Sequence, residues 1–268
     1  MGRKVGFIGG GNMAGAIIGG IVRTGAFPAG QIAVYDRHRE KREALSEKTG
    51  VRTAQSESEL AAESDIVFLA VKPQNFPEVL AKIRPVADAG KVFVSIAAGI
   101  TSKSILEGLG CACPVIRAMP NTPLLIGKGA TAICRTENVP EDCFRLVQSF
   151  FSSCGIVETI EEEQMNAVIS VNGSSPAYVY LLAKAMADSA VGQGIDGKTA
   201  LSLICQTLEG SAGMLRLPEY TPEALIDMVS SKGGTTVEAL QVLRRRDFES
   251  TVDEAMKACT KRAVELGE

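Results

Sequence analysis

"GFIGGGNMAGAI", residues 6–17, decides how the first part of the chain folds. Gly9, Gly11 and Ala14 fall in the frame G-x-G-x-x-G/A. In such a frame the first glycine permits a tight turn out of a strand. The second removes a side chain, so a pyrophosphate can touch the backbone. The third small residue lets the following helix lie close to the strand. The amides of Asn12 and Met13 then point toward phosphate from a helix N-terminus, with Ile8 and Gly10 completing the loop. A lone fingerprint is weak, and a plain glycine turn is its bland alternative. Here it follows an apolar run at 4–8, opens a helical stretch at 12–24, and is trailed by a second apolar run, 32–35, that ends in Asp36. That context predicts a dinucleotide site.

Outward from the fingerprint, two textures alternate. Runs at 4–8, 32–35, 66–71, 91–96, 114–119 and 130–134 read as buried parallel strands. Helical stretches at 12–24, 38–49, 57–63, 76–83, 102–108 and 140–152 lie between them, punctuated by Gly25, Gly50, Gly90 and Gly110. The alternation predicts an α/β, Rossmann-type, mostly parallel sheet with helices on both faces. After "GIVETI" (155–160) no further strand is expected. "EEE" at 161–163 opens a helix with acids at the dipole's positive end. Val252, Ala255, Met256, Cys259, Ala263 and Leu266 recur at helical spacing. The expected division is 1–160, dinucleotide-binding, and 161–268, all-α.

Asp36 stands where an acid would hold ribose hydroxyls and favour NADH. Arg37 and Arg39 follow at once and would favour the 2′-phosphate of NADPH, so the cofactor is left as NADPH or NADH. Three more segments end strands where ligands of open α/β sheets bind: "AVKP" (Ala70, Val71, Lys72, Pro73), "SIAAGI" (with Ile96, Ala97, Ala98 and Gly99) and "RAMPNTP" (with Asn121). Small Ala97, Ala98 and Gly99 would let a flat ring approach the backbone, and Lys72 would reach the ribose or phosphates.

In the second half, "NGSSPAY" (172–178) interrupts a helical run at Pro176, with Ser174 or Ser175 as the expected cap of the restart. "SSKGGTTVEAL" (230–240) places Gly233 and Gly234 before another helix, with Thr235 or Thr236 as its cap. Free amides and the positive dipole end form a receptor for a small anion, and a carboxylate fits.

Composition bounds the partners. The chain has 268 residues, 46% hydrophobic and 22% charged, which is ordinary for a globular protein. Net charge is −3, without the basic excess of a nucleic-acid binder. Glycines and an asparagine interrupt the N-terminal apolar stretch, so neither an export signal nor a membrane span is expected, and the location reads as cytoplasmic. Seven cysteines with a single histidine, His38, make a metal site improbable and read as reduced thiols.

With these segments in hand, the chain resembles the pyrroline-5-carboxylate reductase family over nearly its whole length. The resemblance rests on "GFIGGGNMA", "AVKP", "SIAAGI", "MPNTP", "NGSSPAY" and, most specifically, "PEALIDMVSSKGGTTVEAL" (222–240). It implies NAD(P)H-dependent reduction of 1-pyrroline-5-carboxylate to L-proline, with no metal. It also implies a helical second domain that interleaves with a second subunit, the dimer being the unit of larger rings such as a decamer. Gly233, Gly234, Thr235 and Thr236 match the loop that grips the substrate carboxylate, Thr236 lying near the ring nitrogen. Glu219 matches a position near the substrate. Lys232 departs from a common proline, and Glu57 from an asparagine that reaches the adenine ribose. A β-hydroxyacid dehydrogenase is the nearest rival, but the G-x-x-x-K arrangement it needs is missing and Lys184 comes too late. A non-enzymatic dinucleotide sensor would need the fingerprint and no second site.

Overall fold

The computed structural model describes residues 2–267. Numbered in chain order, its strands are β1 (Val5–Ile8), β2 (Ile32–Tyr35), β3 (Arg52–Thr53), β4 (Ile66–Leu69), β5 (Val92–Ser95), β6 (Val115–Met119), β7 (Gly129–Arg135) and β8 (Gly155–Thr159). Among them run α1 (Asn12–Thr24), α2 (Arg39–Thr49), α3 (Glu57–Glu63), α4 (Phe76–Ile83), α5 (Ser102–Leu109) and α6 (Glu141–Ser152). The strands form one sheet in the order β3-β2-β1-β4-β5-β6-β7-β8. The order reverses between β1 and β4, and a crevice for ligands opens at such a switch point.

Alternation along each strand divides the core in two. Phe7, Val34, Phe68, Val94 and Ile116 pack with α1 and α6 on one face. Ile8, Ala33, Val67, Leu69, Phe93 and Val115 pack with α3, α4 and α5 on the other. Phe7 stacks on Phe68 with ring centroids 4.3 Å apart, and Phe150 and Phe151 of α6 close over Phe68 at 6.2 Å each.

All six expected strands are present, with three differences. β7 runs antiparallel to β6, not parallel. Nine residues, 120–128, join them, too few for the crossover that a parallel neighbour requires. β3 is two exposed residues and β8 is a largely exposed edge, so neither carries the apolar run that marks a buried strand. The expectation of seven reduced thiols also fails, because Cys111 and Cys113 are disulfide-bonded. The chain bends at Cys111, and the two Cα atoms lie 5.5 Å apart, within bridging reach. Cys134, Cys143, Cys154, Cys205 and Cys259 are free.

After β8 the chain is helical: α7 (Met165–Val168), a wide π-turn (Ile169–Gly173), α8 (Ser175–Gly192), α9 (Gly197–Leu215), α10 (Pro222–Met228), α11 (Thr235–Arg245) and α12 (Phe248–Glu265). Two compact units emerge: Met1–Pro176 with Ala258–Glu268, and Ala177–Lys257. Neither Ser174 nor Ser175 caps a restart at Pro176. The π-turn carries the chain through instead, with Ser174 N donating to Ile169 O at 2.7 Å and Ser175 Oγ to Val171 O at 2.6 Å. Widening the turn accommodates a proline without a free helix end.

The π-turn is fastened to the sheet by Asn172. Its Nδ2 donates to Met119 O at 2.7 Å and Ala130 O at 2.9 Å, and its side chain is buried. Met119, Met165, Ile169 and Ala263 pack around this point. Asn172→Ala strands two carbonyls in the interior and is expected to destabilise by about 1–3 kcal/mol. A urea titration checks it, and an unchanged midpoint would contradict the role.

Within Ala177–Lys257, only Ala200 and Ile204 are buried. Large apolar side chains such as Tyr180 (61% exposed), Leu181 (69%) and Leu203 (61%) face outward along α8 and α9, more apolar surface than a lone unit keeps in water. Among the described residues no helix is long and apolar enough to cross a membrane.

Candidate active site

At the switch point β1 delivers Ile8 and then Gly9, whose φ is +105°. Gly9 N donates to Tyr35 O at 2.7 Å, and Ala70 N donates to Ile8 O at 2.8 Å, so the turn is tied to both neighbouring strands. A Cβ on Gly9 would lie 2.8 Å from the Ala70 carbonyl carbon and closer still to its oxygen. Gly11 is the N-cap of α1 and has open space where a Cβ would be. Among the described residues no side chain caps α1, so its first amides, Asn12 and Met13 among them, are open. Ala14 is buried against the core, as close helix–strand packing requires.

Asp36 does more than await a ribose. Its Oδ2 accepts from Gly10 N at 2.8 Å and its Oδ1 from His38 N at 2.9 Å. The carboxylate thereby fixes the glycine loop to the end of β2. Ile8, Gly9, Gly11, Asp36, Arg37, Ala70, Val71 and Lys72 share one open cleft of about 380 Å³. Gly10 and Asn12 line the groove beside it, between α1 and α2, and Met13 packs toward the core. Pro73 opens the short 3₁₀ turn Pro73–Asn75.

The far end of the cleft holds charges that spacing alone gave little sign of. Glu57, only 11% exposed at its side chain, pairs with Lys82 at 3.0 Å, and Lys82 also pairs with Glu78 at 2.7 Å. The bonds from Glu78 and Glu57 hold the Lys82 ammonium well above its ordinary pKa. Glu78 and Lys82 are one helical turn apart on α4; that i,i+4 pattern was the one available signal.

The loop after β5 is packed closely along its length. Ala97 is buried, and Ile96 and Ala98 pack partly against the core on either side. Gly99 has φ +79°, and its open face is taken by the end of α12: a Cβ there would lie 2.9 Å from Ala263 O. The side of Gly99 that lacks a Cβ therefore faces the end of α12. Asn121 is buried, and its Oδ1 accepts from Ala130 N at 2.9 Å. Behind the loop, Arg117 of β6 is buried and donates through Nη1 to Glu162 Oε1 at 3.0 Å. Burial pushes the Glu162 carboxyl up, but bonds from Ser102 and Arg117 outweigh it and hold the group below the ordinary carboxylate range.

The segment expected to receive a second anion lies at the start of α11. Gly233 adopts φ +73°, and Gly234, not a threonine, is the N-cap. Among the described residues no side chain bonds this end, so Thr235 and Thr236 sit inside the first turn with the terminal amides open. An ordinary threonine cap would have consumed an amide that a ligand can use here. Thr236 is half-buried, whereas Glu219 is exposed in the turn between α9 and α10.

Two family models match the chain: "Pyrroline-5-carboxylate reductase dimerisation" over residues 162–266, and "NADP oxidoreductase coenzyme F420-dependent" over residues 4–99. The pyrroline-5-carboxylate reductase of Escherichia coli (strain K12) is 41% identical over 266 residues, covering 99% of each chain. That of Glycine max is 36% identical, covering 98% of this chain and 95% of its own. The solved pyrroline carboxylate reductase of Plasmodium falciparum, which has NADP bound, superposes with a TM-score of 0.91 at 30% identity, over 99% of this chain and 98% of that one. The chain belongs to the pyrroline-5-carboxylate reductase family.

Proposed function

We propose that the protein reduces 1-pyrroline-5-carboxylate to L-proline with NADPH or NADH. The observation that carries this is the start of α11. A helix end preceded by two glycines, with no side chain on its amides, is built for a compact anion, and the substrate's carboxylate is one. The cofactor fits what the chain presents. Gly11 leaves room for pyrophosphate against the backbone, and the uncapped first turn of α1 supplies donors.

Gly9–Met13 hold the diphosphate, and Ala70–Pro73 with Ile96–Ala98 carry the nicotinamide half. Arg37 and Lys72 supply positive charge along the cleft, where Asp36 keeps the glycine loop in shape. When bound, the reduced nucleotide supplies the hydride that the imine carbon accepts. Gly233–Thr236 hold the carboxylate and so fix the ring. Thr236 Oγ hydrogen-bonds the ring nitrogen and favours its protonated form, which already carries the positive charge that draws a hydride. Positioning supplies much of the rate, which suits a site with few acids and bases.

Residues 1–160 thus serve the nucleotide, and 161–268 the substrate and the subunit contact. The exposed apolar faces of α8 and α9 support a dimer as the unit, and larger rings such as a decamer belong to the same proposal. A cytoplasmic location belongs to the same proposal, with five cysteines free in its favour and the bonded Cys111–Cys113 pair against it. A spectrophotometric assay with synthetic 1-pyrroline-5-carboxylate, run once with NADPH and once with NADH, is expected to show imine-dependent oxidation of at least one nucleotide. Oxidation or reduction with hydroxy acids and none with the imine would overturn the assignment.

A further inference from the structure

Arg117 is buried to the extent that 3% of its side chain is exposed, yet only one of its three guanidinium nitrogens is bonded. Nε and Nη2 are buried without a hydrogen-bond partner. The single bond goes from Nη1 to Glu162 Oε1, and that same oxygen accepts the backbone N–H of Ser102 at 2.8 Å. Ser102 is the first residue of α5, next to the N-cap Thr101, and closes the loop that begins after Ser95. Arg117 stands opposite Ser95 in the β5–β6 pairing. One carboxylate oxygen thus joins the far end of the 96–101 loop to a charge seated beside its near end. The middle of the loop is held separately, where Gly99 packs on the end of α12. None of these holding groups lines the nucleotide cleft.

A buried arginine with two bare nitrogens is costly if it merely fills space. We infer that Glu162 is a positioning residue for hydride transfer: bonded to Arg117, it fixes the Ile96–Thr101 loop through the Ser102 amide, so that Ile96–Ala98 meet the nicotinamide half of the cofactor. The inference rests on the nucleotide assignment made above. Glu162 touches neither cofactor nor substrate, and the adenosine half, bound along β1 and β2, is outside its reach.

The test is a comparison of whole and truncated cofactor on the full-length protein. Glu162→Ala is expected to lower kcat about tenfold or more and to weaken the whole dinucleotide, while the matching ADP-ribose fragment binds within about twofold of wild type. Glu162→Gln keeps an oxygen for the Ser102 amide and is expected to retain most of the dinucleotide affinity. The double variant Arg117→Met with Glu162→Leu removes the buried charges together, so it is expected to melt near the wild-type temperature and still show the low kcat. That variant keeps the test open if Glu162→Ala does not fold. Equal weakening of fragment and dinucleotide, or a double variant with full kcat, overturns the inference and leaves the reductase assignment standing. A wild-type protein that binds no dinucleotide overturns both.

Discussion

Gly9→Ala is expected to abolish dinucleotide binding and to destabilise the fold, whereas Gly11→Ala is expected to abolish binding alone. At Gly9 two costs combine. A φ of +105° is a conformation that an L side chain rarely adopts, and the new methyl would press into the Ala70 carbonyl. That carbonyl belongs to the loop after β4, and β4 hydrogen-bonds β1 along its length. Relief therefore requires either prising the two strands apart at the switch point or refolding the turn. The expected penalty is about 2–4 kcal/mol, with affinity reduced at least ~100-fold because the amides no longer converge. At Gly11 the methyl meets no protein atom within 4 Å and the residue has extended backbone, so the fold should be indifferent. The same methyl occupies the space through which a pyrophosphate reaches the backbone. Thermal melts with dinucleotide titrations separate the two: both variants lose binding and only Gly9→Ala loses melting temperature. A Gly11→Ala protein that binds the nucleotide at wild-type strength would place the phosphates elsewhere.

Thr236→Ala is expected to lower kcat about 100-fold while leaving the dinucleotide's affinity unchanged. Thr236 lies in the first turn of α11, after an N-cap glycine, and its hydroxyl is not spent on capping. Removing it takes one donor or acceptor from the substrate site and leaves the backbone amides in place. Carboxylate anchoring should therefore survive, and the loss should fall on the chemical step more than on KM. Thr236→Ser restores the hydroxyl and should recover most of the activity. An alanine variant with undiminished kcat would remove the hydroxyl from the mechanism, and one that also binds nucleotide poorly would show a structural role.

How far these features could be read from residues alone differs by element. The fingerprint was legible because each glycine answers a separate steric demand, and the geometry at Gly9 and Gly11 bears out that logic. Buried strands were legible because both faces of the sheet are covered, so β1 and β4 are apolar throughout and β5 is apolar up to Ser95. β3 and β8 were not, because an exposed edge has no such signature. The direction of β7 is legible in the nine-residue connection before it, which is too short for a parallel crossover. The π-turn at 169–173 depends on Asn172 reaching the carbonyls of Met119 and Ala130, a tertiary contact that local propensity does not encode. The same holds for Glu57 with Lys82 and for Glu162 with Arg117, pairs separated by 25 and 45 residues. At Gly99 the small residue was visible, but the partner filling its open face, the end of α12, was more than 160 residues away.

The proposed reaction requires the ligands assigned to Gly9–Met13 and to Gly233–Thr236 to meet in a single transfer. Deuterium placed at both C4 positions of the reduced nicotinamide reports on this directly, whichever face gives up the hydride. Turnover with 1-pyrroline-5-carboxylate should move the label to the proline carbon that had been the imine carbon. Nucleotide oxidised without label in proline, or proline formed with solvent hydrogen at that carbon, would contradict a shared site.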